Sequence, residues 1–317
     1  MKRPLLVVLV ACFLLDPWSR VSGSPFDRIV LKNGDAARVV LQGVTDNNVT
    51  YRMVAENGAV SDSNRTLPME RVDYIEFGYG EGEQEIYENL SSAPVEALEA
   101  LWNEQFGNLH RPRSRTARYG LGYAARLLQS ENDFEWKKAL DICDRVIDRA
   151  WSPRDRSSAV RGRIQTLMRL GRLDEARREA EEQAAKTEAA GQLIEVRFLL
   201  AEASFRQLRE LEEENPRWEE DDLVRPERNQ LYHESVDQYL WPFLFHGTEE
   251  SAAVRGLVSA AEVYVFGGEM ERARAALTDA IELYPRIPAT DSARERLDTL
   301  TEPSNAPSNS DNETETE

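Results

Sequence analysis

Cysteine is nearly absent from this chain: its 317 residues hold two, Cys12 and Cys143. Histidine is also sparse, with His110, His233 and His246 far apart and no HExxH or CxxC companion. That pattern speaks against a zinc site. Positive charge is in deficit, with 39 Lys and Arg against 57 Asp and Glu and a formal net charge of −18. Phosphate neutralisation needs clustered Lys and Arg, so the composition argues against a nucleic-acid binder and against broad docking on anionic lipid. The longest apolar run falls short of the ~20 residues that a membrane-spanning helix needs. There is no GxSxG elbow, P-loop or paired-carboxylate signature. No catalytic residue, metal ligand or cofactor is therefore put forward.

What is there begins with an address. Residues 1–23, within "MKRPLLVVLVACFLLDPWSRVSGS", have Lys2 and Arg3, an apolar run from Leu5 to Leu15, and a polar stretch ending in small residues. This is the plan of a secretory signal peptide, with cleavage expected after Gly23. The protein is then periplasmic or secreted. "LVAC" also resembles a lipobox, which makes lipidation through Cys12 a minor alternative. After cleavage Cys143 stands alone, so an intramolecular disulfide is excluded and the core must hold the fold. Cys143 lies in "ALDICDRVI" on the apolar face of an expected helix, where a small buried hydrophobe fits better than a reactive thiol.

Residues 24–77 read as a small β domain. Asn33-Gly34 in "DRIVLKNGDAARVVL" signals a hairpin. "TDNN" at 45–48 and Asn57-Gly58 mark further turns. Val49, Tyr51 and Met53 alternate onto one face. "RTLPMERVDYIEF" ends in a short helical turn or bend before a last strand. Five short strands in about fifty residues suggest a small barrel or curled sheet. Residues 78–91 read as a linker. "GYGEGEQE" has the glycines of a nucleotide loop, but Glu81, Glu83 and Glu85 would repel phosphate. From 92 to 300 the apolar period becomes 3.6, giving eight to ten helices. Residues 301–317 are acidic, hold two prolines and no aromatic, and are expected to be disordered. Asn48, Asn64, Asn89 and Asn312 lie in N-x-[ST] sequons, which matter only in a eukaryotic secretory pathway.

The helical region repeats itself. "SAVRGRIQTLMRLGRLDEARREA" and "AAVRGLVSAAEVYVFGGEMERARAAL" share a helix, a glycine, an apolar residue and an alanine in the same order. Gly171, Leu173 and Ala176 fill those places in the first, and Gly268, Met270 and Ala273 in the second. The second unit resembles the tetratricopeptide repeat: Ala261, Tyr264, Gly268, Ala273, Ala280 and Pro285 stand in consensus places. A third, more divergent match carries Gly122 and Ala139, and the stretch 193–245 diverges most. The β segment resembles, more loosely, the SH3-like or Sm-like barrels of exported bacterial proteins. These resemblances imply an α+β chain: a small barrel, then a solenoid of stacked helix pairs that holds protein or peptide.

Several segments are weighed as sites. "EEENPRWEEDD", Glu212 to Asp222, reads as a solvated loop rather than a cation site. "HRPRSRTAR", His110 to Arg118, reads as a turn whose arginines pair with neighbouring Glu. Carboxylate clamping by Lys and Asn is not supported; Arg161 and Arg169 are the nearest basic equivalents on the expected inner helices. "QYLWPFLFHG", Gln238 to Gly247, is the most aromatic stretch, and Pro242 is expected to kink or end its helix. Its rings read as a plug between helix pairs, with Trp241, Phe243 and Phe245 as the alternative partner-binding patch. The functional expectation is a non-enzymatic exported scaffold or adaptor for a protein or peptide partner. An accessory subunit of a cell-envelope machine or enzyme, its β domain binding an envelope component, is second, and a hydrolase a distant third.

Overall fold

The computed structural model describes residues 25–301. The expected signal peptide, the Cys12 alternative and the acidic tail from 302 onward lie outside the described residues. Contacts divide the chain into two units, one reaching to Tyr123 and including Arg149–Pro153, the other holding Ala124–Asp148 and everything from Arg154 onward.

The first unit holds a five-stranded antiparallel sheet. Its strands are β1 (Asp27–Leu31), β2 (Ala36–Val44), β3 (Asn48–Met53), β4 (Arg65–Pro68) and β5 (Val72–Glu76), in the order β4-β3-β2-β1-β5. The turns fall where the sequence places them. Gly34 and Gly58 take φ of 91° and 83°, values that suit glycine at a tight turn. The β2–β3 register shifts between Leu41 and Gly43, a bulge that lets the long second strand bend. A 3₁₀ turn, Met69–Arg71, carries the chain from β4 to β5, which then pairs with β1. Ile29, Val39, Val49, Val72 and Ile75 form the core, and Tyr51 and Met53 pack against it from the expected face of β3.

This unit also contains α1 (Glu83–Glu88) and α2 (Val95–Gln105) and the first turns of α3 (Thr116–Leu127). Residues 78–91, expected as a linker, thus include a helix. The reason is Glu83, which is buried rather than solvated. Its carboxylate accepts from the Gly80 amide at 2.7 Å, Gln105 Nε2 at 2.9 Å and the Tyr119 hydroxyl at 2.6 Å. The Arg115 guanidinium lies 3.3 Å away and also donates to the carbonyls of Phe77 at 2.7 Å and Gly78 at 2.8 Å. A buried carboxylate is tolerated only when paired and hydrogen-bonded, and here four donors surround it. Burial alone would raise its pKa; the bonds from Tyr119, Gly80 and Gln105 and the Arg115 charge outweigh that and hold it below the ordinary value.

The second unit is helical: α4 (Asp133–Arg149), α5 (Pro153–Arg169), α6 (Leu173–Lys186), α7 (Ala190–Glu214), α8 (Val224–Phe245), α9 (Glu250–Phe266), α10 (Met270–Leu283) and α11 (Thr290–Thr301), α4 ending and α5 starting in the segment assigned to the first unit. From α6 to α11 each helix packs on its neighbours in sequence, and α9 also touches α7 and α11. The two stretches that resemble each other in sequence also match in local geometry. Helices α5 and α9 each have 17 residues, and α6 and α10 each have 14. Both pairs close alike. The Arg172 amide bonds the Leu167 carbonyl and the Gly171 amide that of Met168; Glu269 to Tyr264 and Gly268 to Val265 do the same. This is a Schellman closure, with φ of 69° at Gly171 and 75° at Gly268. Ala139, Ala176, Ala273 and Ala280 are fully buried, so helices meet at these small residues. Ala261 is buried beside Tyr264, and Pro285 lies exposed just past α10. In the first unit a side chain at Gly122 would press on Leu90, at 3.2 Å.

The middle pair is longer, with 25 residues in α7 and 22 in α8. Pro242, expected to kink or end its helix, does not end it. It is buried in the last turns of α8, which runs on to Phe245, and the His246 amide bonds the Pro242 carbonyl at 2.8 Å. The ring removes one backbone donor, that for the Gln238 carbonyl, and burial of the surrounding turn offsets the loss.

Candidate functional site

The C-terminal turns of α8 present aromatic rings in two directions. Tyr239 and Pro242 face inward. Tyr239 meets Phe198 of α7 at 6.1 Å between ring centroids. Gly256 of α9 lies against the Tyr239 carbonyl so closely that a Cβ there would sit 2.3 Å from the oxygen. The end of α8 is thereby fixed from behind. On its outer side Gln238, Trp241 and Phe245 follow at helical spacing along one stripe. Trp241 is half-buried and lies 5.7 Å from Phe245 and 4.5 Å from the His246 ring. Phe245 remains 68% exposed and Leu244 61%.

Arg197 of α7 completes this cluster. Its guanidinium lies over the Trp241 ring, 4.2 Å from the centroid, and one terminal nitrogen donates to Gln238 Oε1 at 2.7 Å. Its Nε is buried without a partner. Burial holds its pKa below the ordinary arginine value. Among the described residues no carboxylate forms an ion pair with it.

Two apolar grooves flank α9. One, of about 240 Å³, runs between α8 and α10, with Leu240, Phe243 and Leu244 facing Ala275 and Ala276 and with Arg272 and Asp279 at its edge. The other, of about 270 Å³, lies between α9 and α11 over Ala261, Val265, Leu277 and Leu300. The Arg296–Glu262 ion pair crosses it. Both grooves are mostly apolar, with a few polar groups among the lining residues.

The residues singled out in the sequence separate into two places. Trp241 and Phe245 stand together, while Phe243 turns to the α9–α10 cluster. Arg161 and Arg169 lie on α5, whose core residues pack with α6 and α7, and the structure does not bring them to the aromatic end of α8. Arg161 bonds Ser158 of its own helix at 2.9 Å, and Arg169 is exposed. Arg197 was missed. Its place on α7 carries no motif, and only the antiparallel packing of α7 on α8 brings it to Trp241.

The other charged segments are absorbed by the fold. In the first unit Arg111 and His110 reach Asp46 at 3.7 and 3.4 Å, and Arg113 reaches Glu76 at 3.7 Å and stacks on Tyr74. Arg118 bonds the Tyr87 hydroxyl at 2.5 Å. In the second unit the acidic loop is bordered by the buried Arg228, which pairs with Glu212 at 2.7 Å and stacks on Trp218. Among the described residues no three His, Cys, Asp or Glu converge where a metal ion could sit. Cys143 is buried against Gly162, and burial pushes its thiol up to about 12, far from a thiolate at neutral pH. Among the described residues no helix is long and apolar enough to cross a membrane.

No protein-family model matches the chain, and no curated protein matches it. Among solved structures, the crystal structure of BtubC (BKLC) from P. vanneervenii is similar at 15% identity and a TM-score of 0.43, covering 68% of this chain and 82% of that one. A likeness at that level carries no inference about this chain's activity.

Proposed function

We propose that this chain is a non-enzymatic, exported adaptor that binds a protein or peptide partner through its helical unit, a solenoid of tetratricopeptide-like pairs. The observation that carries this reading is the exposed aromatic end of α8, continuous with an apolar groove beside it. Contiguous exposed apolar surface on a charged protein marks interaction sites more often than it marks idle surface. The matched closures of α5–α6 and α9–α10 support the repeat reading. The return of β5 to β1 after a 3₁₀ turn supports a small-barrel reading of the sheet. The proposed address rests on the N-terminal sequence alone.

Photo-crosslinking tests the docking surface. A benzophenone amino acid is placed at 245 and, as an equally exposed control, at 134, since Phe134 is 73% exposed and Phe245 68%. The expected result is a discrete adduct from position 245 in cells that make the protein, and none from 134. Equal labelling from both, or none from 245, would overturn the assignment.

A further inference from the structure

Arg197 is an arginine without a carboxylate in a chain with a large carboxylate surplus, 57 acidic residues to 39 basic. Among the arginines of the same unit, Arg163 is neutralised by Asp144 and Glu179, Arg177 by Glu234 and Arg228 by Glu212, while Arg126 and Arg161 bond the neutral groups of Gln129 and Ser158. Arg197 has only the neutral amide of Gln238 and the face of Trp241. A guanidinium carries five N–H donors in one plane. Stacking on Trp241 uses its face and leaves the edge free, Gln238 takes one donor, and the remaining terminal donors have no partner among the described residues. Such an edge matches a carboxylate, which accepts two parallel N–H bonds.

The neighbours say what the carboxylate comes with. Trp241 and Phe245 are one turn apart and 5.7 Å between centroids, so the exposed Phe245 ring extends apolar surface from the guanidinium along the axis of α8. A segment laid along those rings would run beside the helix and pass Arg197 with its main chain. It therefore presents a side-chain carboxylate. The net charge of −18 repels a run of acids, so the segment carries one acid among apolar residues. We propose that Arg197, Trp241 and Phe245 form a subsite for a single Asp or Glu side chain of a partner protein, flanked in that partner by a bulky apolar residue. This rests on the reading of the α8 end as a docking surface.

The full chain is panned against displayed random peptides flanked on both sides by fixed sequence, so that a free C-terminus is never offered. Selected peptides are resynthesised with the acid or with its amide and titrated calorimetrically. Selection should enrich Asp or Glu within a few residues of Trp, Phe or Leu. Exchanging the acid for its amide should weaken binding to the wild type about tenfold, equivalent to ~1.4 kcal/mol. Arg197→Met should bind both forms alike, at the level of the weaker one. Arg197→Lys, which keeps the charge and loses the fork, should fall between them and keeps the test valid if the Met variant unfolds. Equal binding of acid and amide by the wild type, or an acid preference that survives in Arg197→Met, would overturn the subsite while peptides lost on Phe245→Asp would leave the adaptor reading standing. Peptides that gain acid-dependent affinity only when given a free C-terminus would overturn the side-chain assignment. Failure to select any peptide would overturn both.

Discussion

Gly256 sets up a contest between two effects of opposite sign. It lies inside α9, where alanine is favoured over glycine by ~1 kcal/mol through backbone entropy. Judged by propensity alone, Gly256→Ala stabilises. But the new Cβ would sit 2.3 Å from the Tyr239 carbonyl oxygen of α8, and a backbone oxygen has no flexible end to swing away. Restoring an ordinary contact of ~3.5 Å means moving α9 from α8 by about an ångström along a well-packed seam. Overpacking of this kind costs about 1–3 kcal/mol and can exceed that where the obstacle is main chain. The net expectation is a loss of up to roughly 2 kcal/mol, seen as a fall in Tm of up to several degrees. Gly191 supplies the control. It is in α7, and a Cβ there meets nothing within 4 Å, so Gly191→Ala should be neutral or slightly stabilising. Thermal unfolding followed by circular dichroism measures both. If Gly256→Ala raises the melting temperature as Gly191→Ala does, the close approach of α8 and α9 is wrong.

Two further outcomes are expected. Ala273→Glu places a carboxylate at a fully buried helix contact and should unfold the α9–α10 pair, so that proteolysis cuts between 250 and 285 in the variant and not in the wild type; an unchanged melting temperature would refute the contact. Glu83 titrates below its ordinary value of 4.5 in the folded chain, so its contribution to stability is present above that value and is lost as pH falls through the lower folded value. Denaturant unfolding of Glu83→Gln should show a loss of about 3 kcal/mol at neutral pH and a weaker dependence on pH below 4.5 than the wild type, because Arg115 is left buried without its partner; parallel pH profiles would exclude the role given to Glu83.

Local chemistry was legible in the sequence and distant pairing was not. Asn33-Gly34, Asn57-Gly58, Gly171 and Gly268 announce turns because the backbone at their glycines needs φ above zero, a local requirement. The buried alanines were legible because a repeat shows the same small residue at the same place. Glu83 was not. An acidic run reads as solvated, and only the arrival of Arg115 and Tyr119, more than thirty residues away, makes one of its members a buried anchor. The same holds for the arginines after His110, which pair with acids as expected but choose Asp46 and Glu76 of the strand region. Trp241 and Phe245 were found by their composition. The guanidinium over Trp241 depends on the register of α7 against α8, which sequence spacing within either helix does not specify.

The extra length of the middle pair has a practical meaning. Phe205 meets Phe266 at 5.5 Å, and Tyr232 meets Glu269, so the turn between α9 and α10 lies level with those residues. Residues beyond about 208 in α7 and before about 228 in α8 have no counterpart in the shorter pairs. The two helices therefore carry Arg197 and Trp241 near one end and the Trp218 turn at the other. Seventeen residues of helix separate Arg197 from Glu214, about 26 Å at 1.5 Å per residue. A fluorophore on the exposed Leu223 would ride on the same helix pair as the proposed docking surface, at its far end. Energy transfer from that tip to a labelled peptide would report occupancy at the aromatic end.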